Sequence, residues 1–519
     1  MKTIKEEIRS IVHKALGQSI ECDQIGVDYP KNPKFGDYAT SVCLTMGKQS
    51  RVLAEKTVQK IKALGSPLFS KIEVAGPGFI NFFLTEKFLL EQVNKINKEK
   101  EKYLRTNIGK GKKVQIEFIS ANPTGPLTVG NGRGGYLGDV LGNVMKLCGF
   151  NITREYLIND AGSQITILGH SVLKDEQAAY QGEYIDKLHQ SIKKGDPNAI
   201  GQRAAKIILN QYIKKTVEKN MNIKFDVWFS EQQKLRSTKA IEKITKWLKE
   251  KKFTYEKDGA VWFKSSAYGD DKDRVLIRKS NEPTYFAQDF AYHKNKFDRK
   301  FDRVINIWGA DHHGDVKRLL AAAEVLGHRG KLKIILTQFI RLIKNGKEVR
   351  MSKRAGNLVY MDDLIKEVGK DVTRFYFLKY SPDSHIDFDL NQAKEWSEKN
   401  PVFYVQYAYA RACNVLKQIE VSKLPKTLPL KLATTYELDL IKEFTKLPDV
   451  LQGICENYQV QNLALFATNM AEKFHQFYTN CRVINEHEVD WSRVRLMQAT
   501  KIILKELFET LGIDSPEKM

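Results

Sequence analysis

The amino-acid sequence predicts a parallel-sheet α/β body, preceded by a smaller α+β module and followed by an all-α bundle. Three observations carry this reading. A β-loop-α-β unit opens at Lys113, where the strand pattern KVQIEFIS leads through a glycine-rich loop and a helix to a second strand, ITREYLIND. That unit is the building block of a parallel, Rossmann-like sheet. Strand and helix patterns then alternate as far as residue 400. From Pro401 onward apolar residues recur almost only at helical spacing, which marks a helical bundle.

With 519 residues the chain has room for about three or four domains. Residues 1–100 read as the α+β module: a helix from Ile4 to Leu16, the loop KNPKFGDYAT and a closing strand pattern at KIEVAGPGFINFFL. The lysine-rich EKEKYLRTNIGKGKK reads as a linker. The α/β body covers 111–400. Its first helix is expected from about Gly132 to Leu147, and a mostly helical insertion from about 163 to 250. Strands are expected to resume at RVLIR, PTYFA, RVINIWGA and KIILTQF. The bundle takes 401–519. There, Phe474, Phe477 and Tyr478 are spaced i, i+3, i+4, as in a core stripe.

Composition narrows the classes of function. The opening MKTIKEEIRSIVHKAL is charged throughout and reads as neither a signal nor a transit peptide. No apolar run approaches the ~18 residues of a membrane span, so no membrane partner is expected. Six scattered cysteines without a C-x-x-C indicate neither zinc nor disulfides, and a reducing cytoplasm is the expected compartment. The net charge of +22 is uneven: +7 over 1–110 (19 basic, 12 acidic), +15 over 111–400 (51 against 36) and zero over 401–519 (14 against 14). A basic body suits a polyanionic partner, although lysine-rich solvation alone gives the same balance. A neutral bundle that binds nucleic acid must do so mainly by stacking and hydrogen bonds.

The glycine-rich loop runs NPTGPLTVGNGRGG from Asn122 to Gly135. Gly130, Gly132 and Gly135 match G-x-G-x-x-G, and Glu155 lies where a ribose-binding acid of a dinucleotide site would be. However, a dinucleotide fold runs its strand straight into the first glycine. Here ANPTGPLTV intervenes, and Pro123 and Pro126 force an extended excursion. Gly-Lys-Ser/Thr occurs nowhere, which excludes a P-loop. What remains is a proline-bent loop and a helix start whose free N–H groups suit an anion. Far downstream lies a basic loop, NGKEVRMSKRAGN, holding Arg350, Met351, Ser352, Lys353 and Arg354. Alone, it reads as a solvated charged turn.

Together the two segments resemble the HIGH and KMSKS signatures of class I aminoacyl-tRNA synthetases. The resemblance narrows to the arginyl-tRNA synthetase family through stretches spread over nearly the whole chain. These include GDYAT, VAGPGFINFFL, SANPTGPLTVGNGRGG, EYLINDAGSQ, FDVWFSE, PTYFAQDFAYHKNKFDR, WGADHHGDVKRL, NPVFYVQYAYAR, FHQFYTNCRV and LGIDSPEKM.

This resemblance implies a ligase that makes arginyl-adenylate from L-arginine and ATP with Mg²⁺, then transfers the arginyl group to tRNA(Arg), acting as a monomer. It implies arginine-binding roles for Glu117, Ser120, Asn122, Tyr285 and Asp289. A carboxylate facing a guanidinium selects arginine over lysine by a charge-assisted, bidentate pair. It implies ATP-binding roles for Pro123, Gly125, Thr128, Gly130, Asn131, Gly309, Asp311, His312, Met351, Ser352 and Lys353. Among these, Thr128, Asn131 and Lys353 act on the reacting phosphates. It also implies that the N-terminal module, with Lys31 and Lys34, grips the tRNA elbow while the bundle reads the anticodon. The two histidines of WGADHHG are read as strand neighbours facing opposite ways, and a shared metal ion is not expected.

One departure stands out. The family usually has H-x-G-H where this chain has Thr128-Val129-Gly130-Asn131. A hydroxyl and an amide donate hydrogen bonds but cannot become cations, which bears on rate more than on identity. Two other functions compete: a weakened paralogue that keeps only tRNA binding, favoured by the altered signature, and an NAD-dependent oxidoreductase. The intact Glu117, Asn122, Tyr285, Asp289, Ser352 and Lys353 oppose the first, and the proline-bent loop opposes the second.

Overall fold

The first hundred residues build a helix-flanked antiparallel sheet. The Ile4–Leu16 helix opens with a capping box, in which Glu6 N donates to Thr3 Oγ1 (3.2 Å) and Thr3 N donates to Glu6 Oε2 (3.0 Å). Strands β1 (Tyr38–Thr40), β2 (Phe69–Ala75) and β3 (Phe79–Leu84) pair in the order β1-β3-β2. The computed structural model describes residues 3–519 except 48, 193, 349–358, 421–424, 426–427 and 486–487. The lysine-rich stretch expected as a linker is not a loose tether. A 3₁₀ turn, Lys100–Leu104, buries Tyr103 and Leu104, and the Tyr103 hydroxyl donates to Gln92 Oε1 at 3.1 Å. Two apolar anchors among the charges were enough to tie it down.

The body is a five-stranded, all-parallel sheet of order β11-β10-β4-β5-β6. Its strands are β4 (Lys113–Glu117), β5 (Asn151–Ile158), β6 (Val227–Ser230), β10 (Arg303–Gly309) and β11 (Leu332–Thr337). Strand β6 arises inside the stretch expected to be helical, because four residues are too few to disturb the surrounding helical period. The RVLIR pattern belongs to a separate antiparallel sheet of β7 (Thr254–Lys257), β8 (Ala260–Phe263) and β9 (Arg274–Ile277). PTYFA is not a strand at all. Thr284 Oγ1 accepts from Ala287 N and caps the helix Tyr285–Asp298, so Tyr-Phe-Ala is that helix's first turn. From β4 the chain proceeds outward through β5 to β6, then returns on the opposite side at β10. The crevice between β4 and β10 is the topological switch point, where open parallel sheets bind ligands.

The glycine-rich helix runs Val129–Leu147, one turn earlier than expected. Most of its glycines serve packing. A Cβ at Gly132 would run into Met361, one at Gly135 into Met221 and Ile119, and one at Gly138 into the Phe118 ring. Ile119 and Ser120, just past β4, are left-handed (φ 67° and 42°), a strained state for a β-branched residue. Gly135 and Gly138 let the helix lie directly against that bend.

Among the described residues, four long helices form the C-terminal bundle: Pro401–Lys417, Thr435–Asn457, Gln461–Asn480 and Trp491–Leu511. Phe474 and Phe477 are fully buried in its core, whereas Tyr478 is 36% exposed. Arg374 ties the bundle to the glycine-rich helix, reaching the Leu511 carbonyl and Asp139, and Asn143 Nδ2 adds a bond to the Thr510 carbonyl (3.0 Å). The N-terminal module docks on the same bundle through the Tyr29 and Tyr38 hydroxyls, which both donate to Asp449 (3.1 and 3.4 Å). The fold class is therefore the expected one. Gly138→Ala should lower stability by about 1–3 kcal/mol, the usual cost of overpacking. A chemical-denaturation midpoint unchanged from wild type would show that the helix can shift away from Phe118.

Candidate active site

The carboxyl ends of the parallel strands surround a cavity of about 840 Å³. Glu117, Ser120, Asn122, Gly125, Thr128, Gly130, Asn131, Tyr285, Asp289, Gly309, Asp311 and His312 all line it. Pro123 does not. It is buried behind the loop, and Pro126 faces the cavity instead. Met351, Ser352 and Lys353 lie outside the described residues.

A chain of buried polar groups forms the floor. Glu117 is 2% exposed, and its Oε2 lies 2.5 Å from Nζ of the fully buried Lys296. Ser120 Oγ donates to the other carboxylate oxygen (2.9 Å), a bond that the left-handed turn makes possible. Lys296 also donates to Asn306 Oδ1 (2.8 Å), and Asn306 Nδ2 donates to His293 Nε2 (2.8 Å). His293 Nδ1 then donates to the Asp289 carbonyl (2.8 Å). Burial, reinforced by the Lys296 charge, pushes the His293 pKa well below the usual histidine range, against the pull of that carbonyl. The ring is neutral, as the chain of donors requires.

Asp289 contrasts with Glu117. Among the described residues nothing donates a hydrogen bond to its carboxylate, and desolvation pushes its pKa up to about 7. Arg318 opposes that rise, while Glu117 and Asp315 add to it. Tyr285, one helical turn away and 57% exposed, stands at the mouth. Glu155 plays no ribose-binding part. It is fully buried, off the cavity, and held by Tyr292 (2.6 Å) and Arg299, so the dinucleotide reading falls on geometry as well.

At the other end, Asn131 Oδ1 accepts from both Thr128 N (3.0 Å) and Thr128 Oγ1 (2.9 Å). An amide oxygen carries no hydrogen, so the Thr128 hydroxyl is the donor. This corrects the expectation of two equivalent donors, because the only hydroxyl hydrogen of Thr128 is already spent on Asn131. Val129 N donates to the Val359 carbonyl (3.0 Å) and Met361 N to the Leu127 carbonyl (2.8 Å). An isolated bridge between Thr128 and Tyr360 thereby pairs residues 359–361 with the glycine-rich loop.

His312 and His313 sit in a 3₁₀ turn, Ala310–Asp315, rather than on β10, which ends at Gly309. His312 Nδ1 meets Asp315 Oδ2 at 2.9 Å, and that bond, outweighing burial, raises the histidine pKa. Burial works to raise the Asp315 carboxyl, but His312 and Arg318 outweigh it and hold it below the usual range. Sequence reasoning missed Tyr184, whose hydroxyl donates to the Thr124 carbonyl (3.0 Å) above Gly125. It also missed Arg133, a buried clamp on the Gln338 and Ser381 carbonyls (both 2.7 Å). Gln288 and Arg318, two more lining residues, could have been found by helical spacing from Tyr285 and Asp315.

Three family models match this chain. "Arginyl tRNA synthetase N terminal domain" covers residues 2–84, "tRNA synthetases class I (R), catalytic domain" covers 92–195 and 179–377, and "DALR anticodon binding domain" covers 405–519. The chain is 39% identical to the arginine–tRNA ligase of Acetivibrio thermocellus, over 100% of its own length and 99% of that protein's. It is 40% identical to that of Caldanaerobacter subterraneus, with 99% of each chain covered. The chain belongs to the arginyl-tRNA synthetase family. Solved arginyl-tRNA synthetases of Thermus thermophilus and Plasmodium falciparum share its fold over the full length of both chains, with TM-scores of 0.78 and 0.79 at 18% identity. Like the family, this synthetase activates L-arginine with ATP to arginyl-adenylate and transfers the arginine to tRNA(Arg).

If Asp289 faces the substrate guanidinium, arginine use depends on pH. A carboxyl raised to about 7 is protonated below that pH, and a bound cation favours the ionised form. Arginine affinity should therefore fall as pH falls. KM for arginine should be about tenfold higher at pH 6 than at pH 8, and Asp289→Asn should give a higher but flat profile. A wild-type KM independent of pH over this range would remove Asp289 from the arginine pocket.

Proposed function

We propose that the cavity holds arginine at its floor and the triphosphate at the start of the glycine-rich helix. The observation that carries this reading is the pairing of two carboxylates, Glu117 and Asp289, at the sheet's switch point. Asp289 offers both oxygens uncommitted, and Glu117 lies beyond it, so a guanidinium meets an anionic wall suited to bidentate bonds. Tyr285 closes over it from the mouth, and Ser120 and Asn122 orient the backbone end of the substrate. Gly309, Asp311 and His312 take the adenosine. The substrate carboxylate is itself the nucleophile toward the α-phosphorus, so no general base is needed. Catalysis is then orientation plus stabilisation of charge on the phosphates.

Asn131 is the neutral donor to those phosphates, and Thr128 holds it in place. Thr128 N–H can only donate, so the amide oxygen must face it, which turns the Asn131 NH₂ the other way. Gly130 N–H, without a partner among the described residues, is a second donor at the helix start. Lys353 supplies the cation. Mg²⁺ enters on the ATP phosphates, which provide the hard oxygen ligands it prefers. The N-terminal module (1–100) grips the tRNA elbow with Lys31 and Lys34, both exposed, and the bundle (401–519) reads the anticodon. The six free thiols suit a reducing cytoplasm, where the enzyme works as a monomer, the family's habit.

Pyrophosphate exchange into ATP, with arginine and tRNA present, tests the phosphate assignment. Asn131→Ala should lower kcat about tenfold, the equivalent of one neutral hydrogen bond made mainly in the transition state. Asn131→Asp should do more harm, because it puts an anion toward the phosphates. Thr128→Val should cost only about threefold, since one of two bonds to Asn131 Oδ1 survives. Arginine KM should move little in all three. Wild-type exchange in Asn131→Ala would make this residue a spectator.

A further inference from the structure

Lys296 has no surface, does not line the cavity at the sheet's carboxyl end and lies one helical turn beyond the part of its helix that does. Two of its donors are nonetheless assigned, and an aromatic face covers the ammonium. One meets Glu117 Oε2 (2.5 Å) and one meets Asn306 Oδ1 (2.8 Å), while the ammonium also sits 4.3 Å from the centre of the Tyr292 ring. Asn306 is the register partner of Glu117 across β10 and β4. Tyr292 in turn donates to the buried Glu155 (2.6 Å). A fully buried ammonium held on three sides has one fixed position.

We infer that Lys296 is a positioning residue for arginine recognition, fixing the Glu117 carboxylate at the pocket floor and halving the negative charge the substrate must answer. This rests on the reading of Glu117 as an arginine-binding group. Charge matching supports it. Glu117 and Asp289 would present two negative charges to one guanidinium. With Lys296 beneath, the set carries a single negative charge, matched to a single cation. The direction of the hydrogen bonds supports it as well. Lys296 can only donate, which turns Asn306 Oδ1 toward it and Asn306 Nδ2 toward His293. His293 must then accept at Nε2 and donate from Nδ1 to the Asp289 carbonyl. One cation thus sets the polarity of the whole line from the strand end at Glu117 to the helix turn that carries Asp289. An arginine does not replace it, because a planar guanidinium does not match two acceptors and a ring face set around a point.

The test is a double-mutant cycle of Lys296→Met and Glu117→Gln, read as KM for arginine, KM for ATP and kcat in tRNA-dependent exchange. Lys296→Met should raise arginine KM at least tenfold and leave ATP KM within twofold. In the double variant, arginine KM should equal that of Glu117→Gln alone, because Lys296 has nothing left to position. If Lys296→Met does not fold, with Glu117 buried and unpaired, the double variant and Glu117→Gln still provide this comparison. An arginine KM in the double variant many times that of Glu117→Gln would mean that Lys296 acts independently, and would overturn the proposal. So would an ATP KM that rises in parallel with the arginine KM in Lys296→Met. An unchanged arginine KM in Lys296→Met beside a raised one in Glu117→Gln would overturn the positioning role alone. An unchanged arginine KM in Glu117→Gln itself would overturn the placement of Glu117, and the proposal with it.

Discussion

The buried ion pair between Lys296 and Glu117 is the constraint on which the substrate end of the molecule depends. It joins the end of β4 to the helix that follows β9, across the switch point of the sheet. Removing one partner of such a pair is destabilising, because the other stays buried and charged. The pair is weak evidence for stability in itself, since a well-packed apolar pair often does as well. Its worth lies in geometry. The left-handed turn at Ile119 and Ser120 brings the Ser120 hydroxyl back onto Glu117, so strain in the backbone is spent on aiming one carboxylate. Asp289 follows the same logic in reverse. A carboxyl raised by desolvation makes folding less favourable as pH rises through that group's titration. In the proposed arginine site, that cost leaves a charge available for a cation.

The proposed phosphate end depends on a different contact. The glycine-rich helix must lie close to the Phe118–Ser120 bend on one side and to Met361 on another, and only glycine leaves the room. The stretch that looks like a bare phosphate cradle is mostly a packing stripe, with Gly130 as its open position. The backbone bonds from Val129 to Val359 and from Met361 to Leu127 join the start of the glycine-rich helix to residues 359–361, far downstream in the chain.

Much of this was legible in the sequence, for physical reasons. The apolar runs of β4, β5, β10 and β11 and the helical period after Pro401 come from burial, and burial is what periodicity records. The site residues on the proline-bent loop and on TYFAQD were legible because their order resembles a known family. What stayed hidden depends on three dimensions. Four-residue β6 was lost in helical surroundings, and the Tyr103 anchor was masked by lysines. The Thr284 cap turned an apparent strand into a helix start. The commitment of the Thr128 hydroxyl to Asn131, the partner of Glu117, and the clamp made by Arg133 are all contacts between side chains and distant atoms. No spacing rule announces them.

A guanidinium that settles against two unlike carboxylates, one already ion-paired with Lys296 and one waiting to ionise, displaces the proton of the second. Titration calorimetry of arginine binding, repeated in buffers of different ionisation enthalpy, measures this directly as protons released. With Asp289 titrating near 7, binding should release close to one proton per arginine at pH 6 and almost none at pH 8.5. Asp289→Asn should abolish the release. Arginine binding at pH 6 with no proton released would contradict the claim and place the guanidinium elsewhere.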